Sequence, residues 1–136
     1  MATSGYSSTP LIKKLGILPN MKLQLIHAPA EYPAWLEFDV KTQLASGKEV
    51  PDLVHLFAAS ETIFNSEMKR LLPLCKKNPK LVIWVSWYKK SAGIPTNLTE
   101  DVIRNWALKH GLVDVKVCAV SDSWSGLKLV VPLSKR

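Results

Sequence analysis

A handful of side chains combine suitable chemistry with suggestive placement. His27 closes the apolar run "MKLQLIHAP", where an imidazole could serve as a general base. His55 lies inside "PDLVHLF", away from either end, and a histidine within a strand is expected to pack. No carboxylate stands at a sequence spacing that would orient either ring, so His27 is the catalytic candidate without a visible partner. Ser60 precedes "ETIFNSEMKRLL" and would cap that helix, although free amides at a helix start also suit an anion. Ser86, Lys89 and Lys90 close the run "LVIWVSWYKK", where an ammonium group could meet phosphate or carboxylate or simply remain solvated. Trp124, in "SDSWSG" with Asp122, would act as a lid over a ligand or as a cover for the sheet. The expected ligand-binding set is therefore Ser60, Ser86, Lys89, Lys90 and Trp124.

Other chemistries find less support. There is no G-x-S-x-G elbow, and neither Cys75 nor Cys118 has an activating neighbour in sequence. Two cysteines so far apart do not make a metal site, and a reducing cytoplasm would leave them as thiols. No metal ligand and no cofactor is expected.

The elements that must position these groups follow from patterning. Pro10 with "LIKKLGI" reads as a short helix capped by Thr9 and stopped by Gly16. Strands are expected at Lys22 to about Ala28, in "FDVKTQL", in "PDLVHLF", in "KLVIWVSW", and in the closing pair "LVDVKVCAV" and "LKLVVPL". A weak helix interrupted by Pro33 falls between residues 30 and 36. The helix after Ser60 presents Ile63, Phe64, Leu71, Leu74 and Cys75 near one face, with Pro73 kinking or ending its last turn. A further helix runs to His110 and is closed by Gly111, with Asn97 as its cap and Glu100 in capping-box spacing. Trp84 and Trp87 must face opposite sides of their strand, which puts Trp84 in the core.

With 136 residues, 47% of them hydrophobic, the chain suits one packed domain, expected over residues 10–136 behind a flexible tail at 1–9. Neither a secretory leader nor an apolar run of membrane-spanning length is visible, so the expected location is the cytoplasm. A net charge of +7 permits an anionic partner. The lysines are scattered, and no aromatic-basic RNA signature or basic recognition helix appears, so nucleic acid is not expected.

Strands alternating with helices predict a mostly parallel α/β sheet with helices on both faces. This pattern resembles the Rossmann-like fold of S-adenosylmethionine-dependent methyltransferases, trimmed by one helix and one strand. The resemblance implies six strands in the order 2-1-3-4-6-5, with strand 6 antiparallel. A more specific likeness is to an uncharacterised bacterial family, a domain of unknown function. It rests on "TPLIKKLGI", "PDLVHLF", "VSWYKK", "PTNLTEDVIR" and "GLVDVKVCAVSDSWSGLK", and departs at His27, Tyr88 and Asn97. That likeness implies a fold and no activity.

A nucleotide-type site needs small residues after the first strand and an acid ending the second. Here the first strand runs into "IHAPAEYPAW", without glycine, and the second ends "KTQLASG", without a carboxylate. Binding of S-adenosylmethionine or NAD is accordingly not expected. The reading that remains is a non-enzymatic binding or regulatory module for an anionic small molecule or a protein partner. The alternative is a small-molecule enzyme that uses His27 and Lys89 at the strand ends without a nucleotide.

Overall fold

The computed structural model describes residues 9–136; all but Thr9 of the expected tail at 1–9 lies outside the described residues. Five strands form one sheet: β1 (Leu23–Ile26), β2 (Leu53–Phe57), β3 (Val82–Tyr88), β4 (Val113–Ala119) and β5 (Trp124–Val130). Their spatial order is β1-β2-β3-β5-β4, with β1, β2 and β3 mutually parallel and β5 antiparallel to both its neighbours. Helices α1 (Leu11–Leu15) and α2 (Tyr32–Leu36) cover one face, and α3 (Glu61–Lys77) and α4 (Glu100–Lys109) cover the other.

The sheet departs from expectation at one place. "FDVKTQL" is not a strand, so the sheet has five strands rather than six, and the expected order loses its strand 2. Local polar bonding explains the loss. The Asp39 carboxylate accepts the Lys41 amide at 2.9 Å and starts a 3-10 turn over Lys41–Gln43. Gln43 then buries its amide by donating to the carbonyls of Leu18 and Met21. All that survives beside β1 is a single parallel bridge between Leu23 and Leu44.

α3 forms as its sequence demands. Ser60 Oγ accepts the Ile63 amide, Glu61 sits at the positive end of the dipole, and Lys76 and Lys77 sit at the negative end. Phe64, Met68, Leu71 and Cys75 recur at helical spacing and are buried against the sheet. Pro73 does not end the helix, which continues to Lys77; the residue is exposed, where water can serve the carbonyl it deprives of a partner. In α2, Pro33 falls at the helix start, where a missing amide costs nothing, rather than interrupting it. α1 has Pro10 at its N-cap position, one residue beyond the expected Thr9.

Trp84 and Trp87 do face opposite ways. Trp84 lies wholly buried under α1, and its indole donates to the Leu15 carbonyl at 2.9 Å. Trp87 packs into the core beneath α3 and α4. Gly126, opposite Ser86 on β5, makes room for the Trp84 ring: a β-carbon there would stand 3.3 Å from Trp84 Cε3 and 3.0 Å from Val120. β4 closes the sheet with its outer edge unpaired among the described residues, and a bulge between Asp114 and Lys116 breaks its register with β5.

Candidate functional site

The carboxyl ends of β1, β2 and β3 lie at one end of the sheet, where a parallel α/β fold places its ligands. His27 follows β1 with a positive φ of 57°, an uncommon conformation for a side-chain-bearing residue. Its Nε2 lies 3.0 Å from Glu67 Oε2 of α3, and Glu67 is also paired with Arg70. The histidine thus has an orienting carboxylate after all. Forty residues of sequence separate the two, and only the packing of α3 across β1 brings them together.

Ser60 caps α3, and the Glu61 and Ile63 amides of that helix start already have side-chain acceptors within the chain. Ser60 Oγ takes Ile63 N–H, while Asn97 Oδ1 takes Glu61 N–H at 2.8 Å. Thr96 anchors the same loop by donating its hydroxyl to the Ala59 carbonyl. Asn97 therefore serves α3, and the cap of α4 is Thr99, whose hydroxyl accepts Val102 N–H; the expected capping box at Asn97 is not formed.

Ser86 is placed in the core. His55 Nε2 lies 2.7 Å from Ser86 Oγ, and His55 Nδ1 lies 2.7 Å from the Tyr32 hydroxyl, so the three make one buried chain. The imidazole stacks on Phe57. Burial holds the ring neutral by pushing its pKa down to about 3, and pushes the Tyr32 hydroxyl well above its ordinary range, with a smaller push from Cys118. A neutral imidazole donates from one nitrogen and accepts at the other, so it can satisfy both hydroxyls. Serine, histidine and a hydroxyl in series suggest a nucleophile, yet no substrate reaches residues so completely enclosed. The arrangement is a structural polar chain.

Lys89 and Lys90 open onto a cleft of about 660 Å³ at the end of β3, lined also by Trp87, Tyr88, Glu100 and Asp101. Lys89 is half-buried and its amide donates to the Ser123 carbonyl, which fixes the backbone where the strand ends. The two acids at the mouth of the cleft are drawn onto Arg104, which also binds Asp114 at 3.0 Å. Its hydrogen bonds to the Asp114 and then the Glu100 carboxylate raise the Arg104 pKa further. Trp124 is buried between Phe57 and Tyr88, with ring centroids 5.0 and 4.0 Å away, and lies apart from the lysines' cleft. The structure thus gathers Lys89 and Lys90 together, places His27 at another strand end, and puts Ser86 and Trp124 inside the fold.

No protein-family model and no curated protein matches this chain. Solved structures do. An uncharacterised protein of Listeria monocytogenes superposes with a TM-score of 0.58 at 10% identity, over 94% of this chain and 69% of that one. A protein of the NADB-Rossmann superfamily from Streptococcus agalactiae gives 0.52 at 11% identity, over 94% and 70%. The tRNA methyltransferase TrmK of Bacillus subtilis gives 0.48 at 10% identity, over 93% and 67%. The fold is Rossmann-like.

A Rossmann-like fold raises the question of a nucleotide-type cofactor, and the residues present do not fit one. His27, with its ring tied to Glu67, stands where a glycine turn would let a phosphate approach the backbone. The helix that follows, α2, has five residues and begins at a proline-containing turn. Beside β1 there is a single bridge instead of a strand whose end could bring an acid to a ribose. Among the described residues no group of three His, Cys, Asp or Glu could hold a metal ion, and no helix is long and apolar enough to cross a membrane.

Proposed function

We propose that the chain is a cytoplasmic, non-enzymatic binding module whose strand-end cleft receives an anionic group on a small molecule or a partner protein. The observation that carries this reading is the cleft of about 660 Å³ with Lys89 and Lys90 on its wall. Neither lysine takes part in an ion pair among the described residues, whereas Glu100 and Asp101 across the cleft are engaged by Arg104. The α4 dipole adds positive potential at the same end. The volume lies within the roughly 300–1,000 Å³ range usual for small-molecule pockets.

Calorimetric titration with pyrophosphate tests the reading. Binding should weaken about tenfold in Lys89→Gln/Lys90→Gln, as expected for the loss of two partly exposed charge contacts. Equal binding by the variant and the parent would overturn it.

A second reading, a small-molecule enzyme, draws on the His27–Glu67 pair, because a carboxylate fixes the ring of a general base as such chemistry requires. Two strand spacings, roughly 10 Å, separate the ends of β1 and β3, so His27 and Lys89 could serve only a substrate long enough to span them. A panel of phosphorylated and carboxylated metabolites, followed for thermal shift and for product, separates the readings. The binding module shifts without turnover; the enzyme turns over and loses that turnover in His27→Ala.

A further inference from the structure

The carboxyl-terminal ends of α3 and α4 lie at the opposite end of the helical layer, away from the strand-end cleft. With the C-terminal segment they line a second cavity of about 620 Å³. Its floor is apolar: Leu72, Leu112, Val131 and the buried thiol of Cys75 all belong to, or pack on, the core under α3 and α4. Its polar wall carries one sign of charge. Lys69, Lys76 and Lys135 line it together with His110, and no Asp or Glu is among the lining residues.

We infer that this cavity is a binding site for an organic anion with an apolar body, such as a medium-chain carboxylate or an aromatic acid. Lysines at helix ends often do no more than offset the dipole, and Lys76 in the last turn of α3 answers that description. The other two do not. Lys69 lies well inside α3, and Lys135 arrives from the C-terminal turn Leu133–Lys135, far from either helix in sequence.

The C-terminal segment is held so as to bring that ammonium in. Lys135 N–H donates to the Pro132 carbonyl, and Arg136 Nε donates to the Val131 carbonyl. Lys135 Nζ then stands 3.8 Å from where a β-carbon on Gly111 would be, and Gly111 itself has a φ of +83° that favours glycine. His110 is fixed as well. Its Nδ1 donates to the Trp106 carbonyl at 2.8 Å, and its ring stacks on the Trp106 indole.

An apolar floor alone would take any hydrophobe, and lysines alone would take any anion. Three ammonium groups around an apolar floor select a molecule that has both parts. This site stands apart from the strand-end cleft and does not depend on what binds there.

Fluorescence titration of the full chain with 1-anilinonaphthalene-8-sulfonate tests the inference, with the uncharged N-phenyl-1-naphthylamine as counterpart and decanoate as competitor. Lys69→Gln/Lys76→Gln/Lys135→Gln should weaken the sulfonate about tenfold and leave the uncharged probe unchanged. Lys13→Gln/Lys41→Gln/Lys48→Gln removes the same net charge elsewhere and should leave both affinities as they were. Decanoate should displace the sulfonate from the parent protein. Equal sulfonate affinity in the parent and the cavity variant, equal weakening by the control variant, or failure of decanoate to compete would each overturn the site. All substituted lysines are surface residues, so the variants remain folded, and circular dichroism verifies it. Binding here is also separable from the pyrophosphate result, because none of these lysines lines the strand-end cleft.

Discussion

Toward α3 and α4 the sheet offers mainly aliphatic side chains, with Trp87 among them. Val54, Leu56, Ile83, Val85, Leu127 and Leu129 meet Phe64, Met68, Ile103 and Ala107. Toward α1 and α2 it offers the rings of Phe57, Trp84 and Trp124, with the Tyr32–His55–Ser86 chain threaded among them. The lengths of the covering helices explain the difference. α3 and α4, with 17 and 10 residues, have enough aliphatic side chains to cover their face. α1 and α2 have five residues each, so a few large rings must supply the buried area, at about 150–250 Å² apiece. Rings of fixed shape leave polar edges to satisfy, and the hydroxyl–imidazole–hydroxyl chain and the Trp84–Leu15 bond do so. One face therefore buries no imidazole that acid could charge, and the other contains one that burial keeps neutral.

The largest expected effect strikes the ring-packed face. Trp84→Ala should destabilise the protein by about 3–5 kcal/mol, since it opens a cavity and strips the Leu15 carbonyl of its donor. A denaturant midpoint close to the parent's would mean that α1 does not depend on this ring, and the contrast between the faces would fail.

Acid should separate the faces next. His55 has a folded pKa of about 3 against an ordinary value near 6.5, so below neutrality the unfolded chain takes up a proton that the fold refuses. Stability is complete above about pH 6.5 and declines as pH falls toward 3, with a loss of about 2 kcal/mol by pH 5. Tyr32, raised by burial, acts in the alkaline range. Its contribution is intact below the ordinary tyrosine value and is lost as pH climbs beyond it. Tyr32→Phe/His55→Leu/Ser86→Ala removes every member of the chain together, so no buried hydroxyl is stranded. Its unfolding midpoint should lose most of the dependence between pH 5 and 7; an unchanged slope would place the acid sensitivity elsewhere.

The smallest effect belongs to the aliphatic face. Asn97→Ala leaves the Glu61 amide without its acceptor and should cost about 1 kcal/mol, at every pH where the protein is folded. A loss that grows in acid would blur the distinction between the faces.

Patterning made the strands around Val54, Val85 and Leu127, the cap at Ser60 and the opposite orientations of Trp84 and Trp87 legible, because each depends on neighbours within a turn or a pleat. Phe38 to Leu44 alternates like a strand, but the turn is decided by Asp39 binding its own backbone and by Gln43 reaching the Leu18 and Met21 carbonyls. The site is less legible for the same reason. His27 meets Glu67, His55 meets Tyr32 and Ser86, and Lys135 meets Gly111 only when separate elements pack, and no spacing in the chain announces those encounters. Lys89 and Lys90 were visible because they directly follow a strand that patterning could find.

β4 carries a last consequence. Its segment "VDVKVCAV" is rich in β-branched residues, and Val115 and Val117 are 54% and 52% exposed on the outermost strand of the sheet. Such an edge would recruit a strand from another molecule and grow into an aggregate. The bulge between Asp114 and Lys116 prevents a flat, continuous ladder from forming, because one extra residue puts the backbone donors out of step and sharpens the twist. Lys116 adds a charge that any incoming strand would have to cover. A single irregular residue at Val115 thus makes this edge a poor template for another strand.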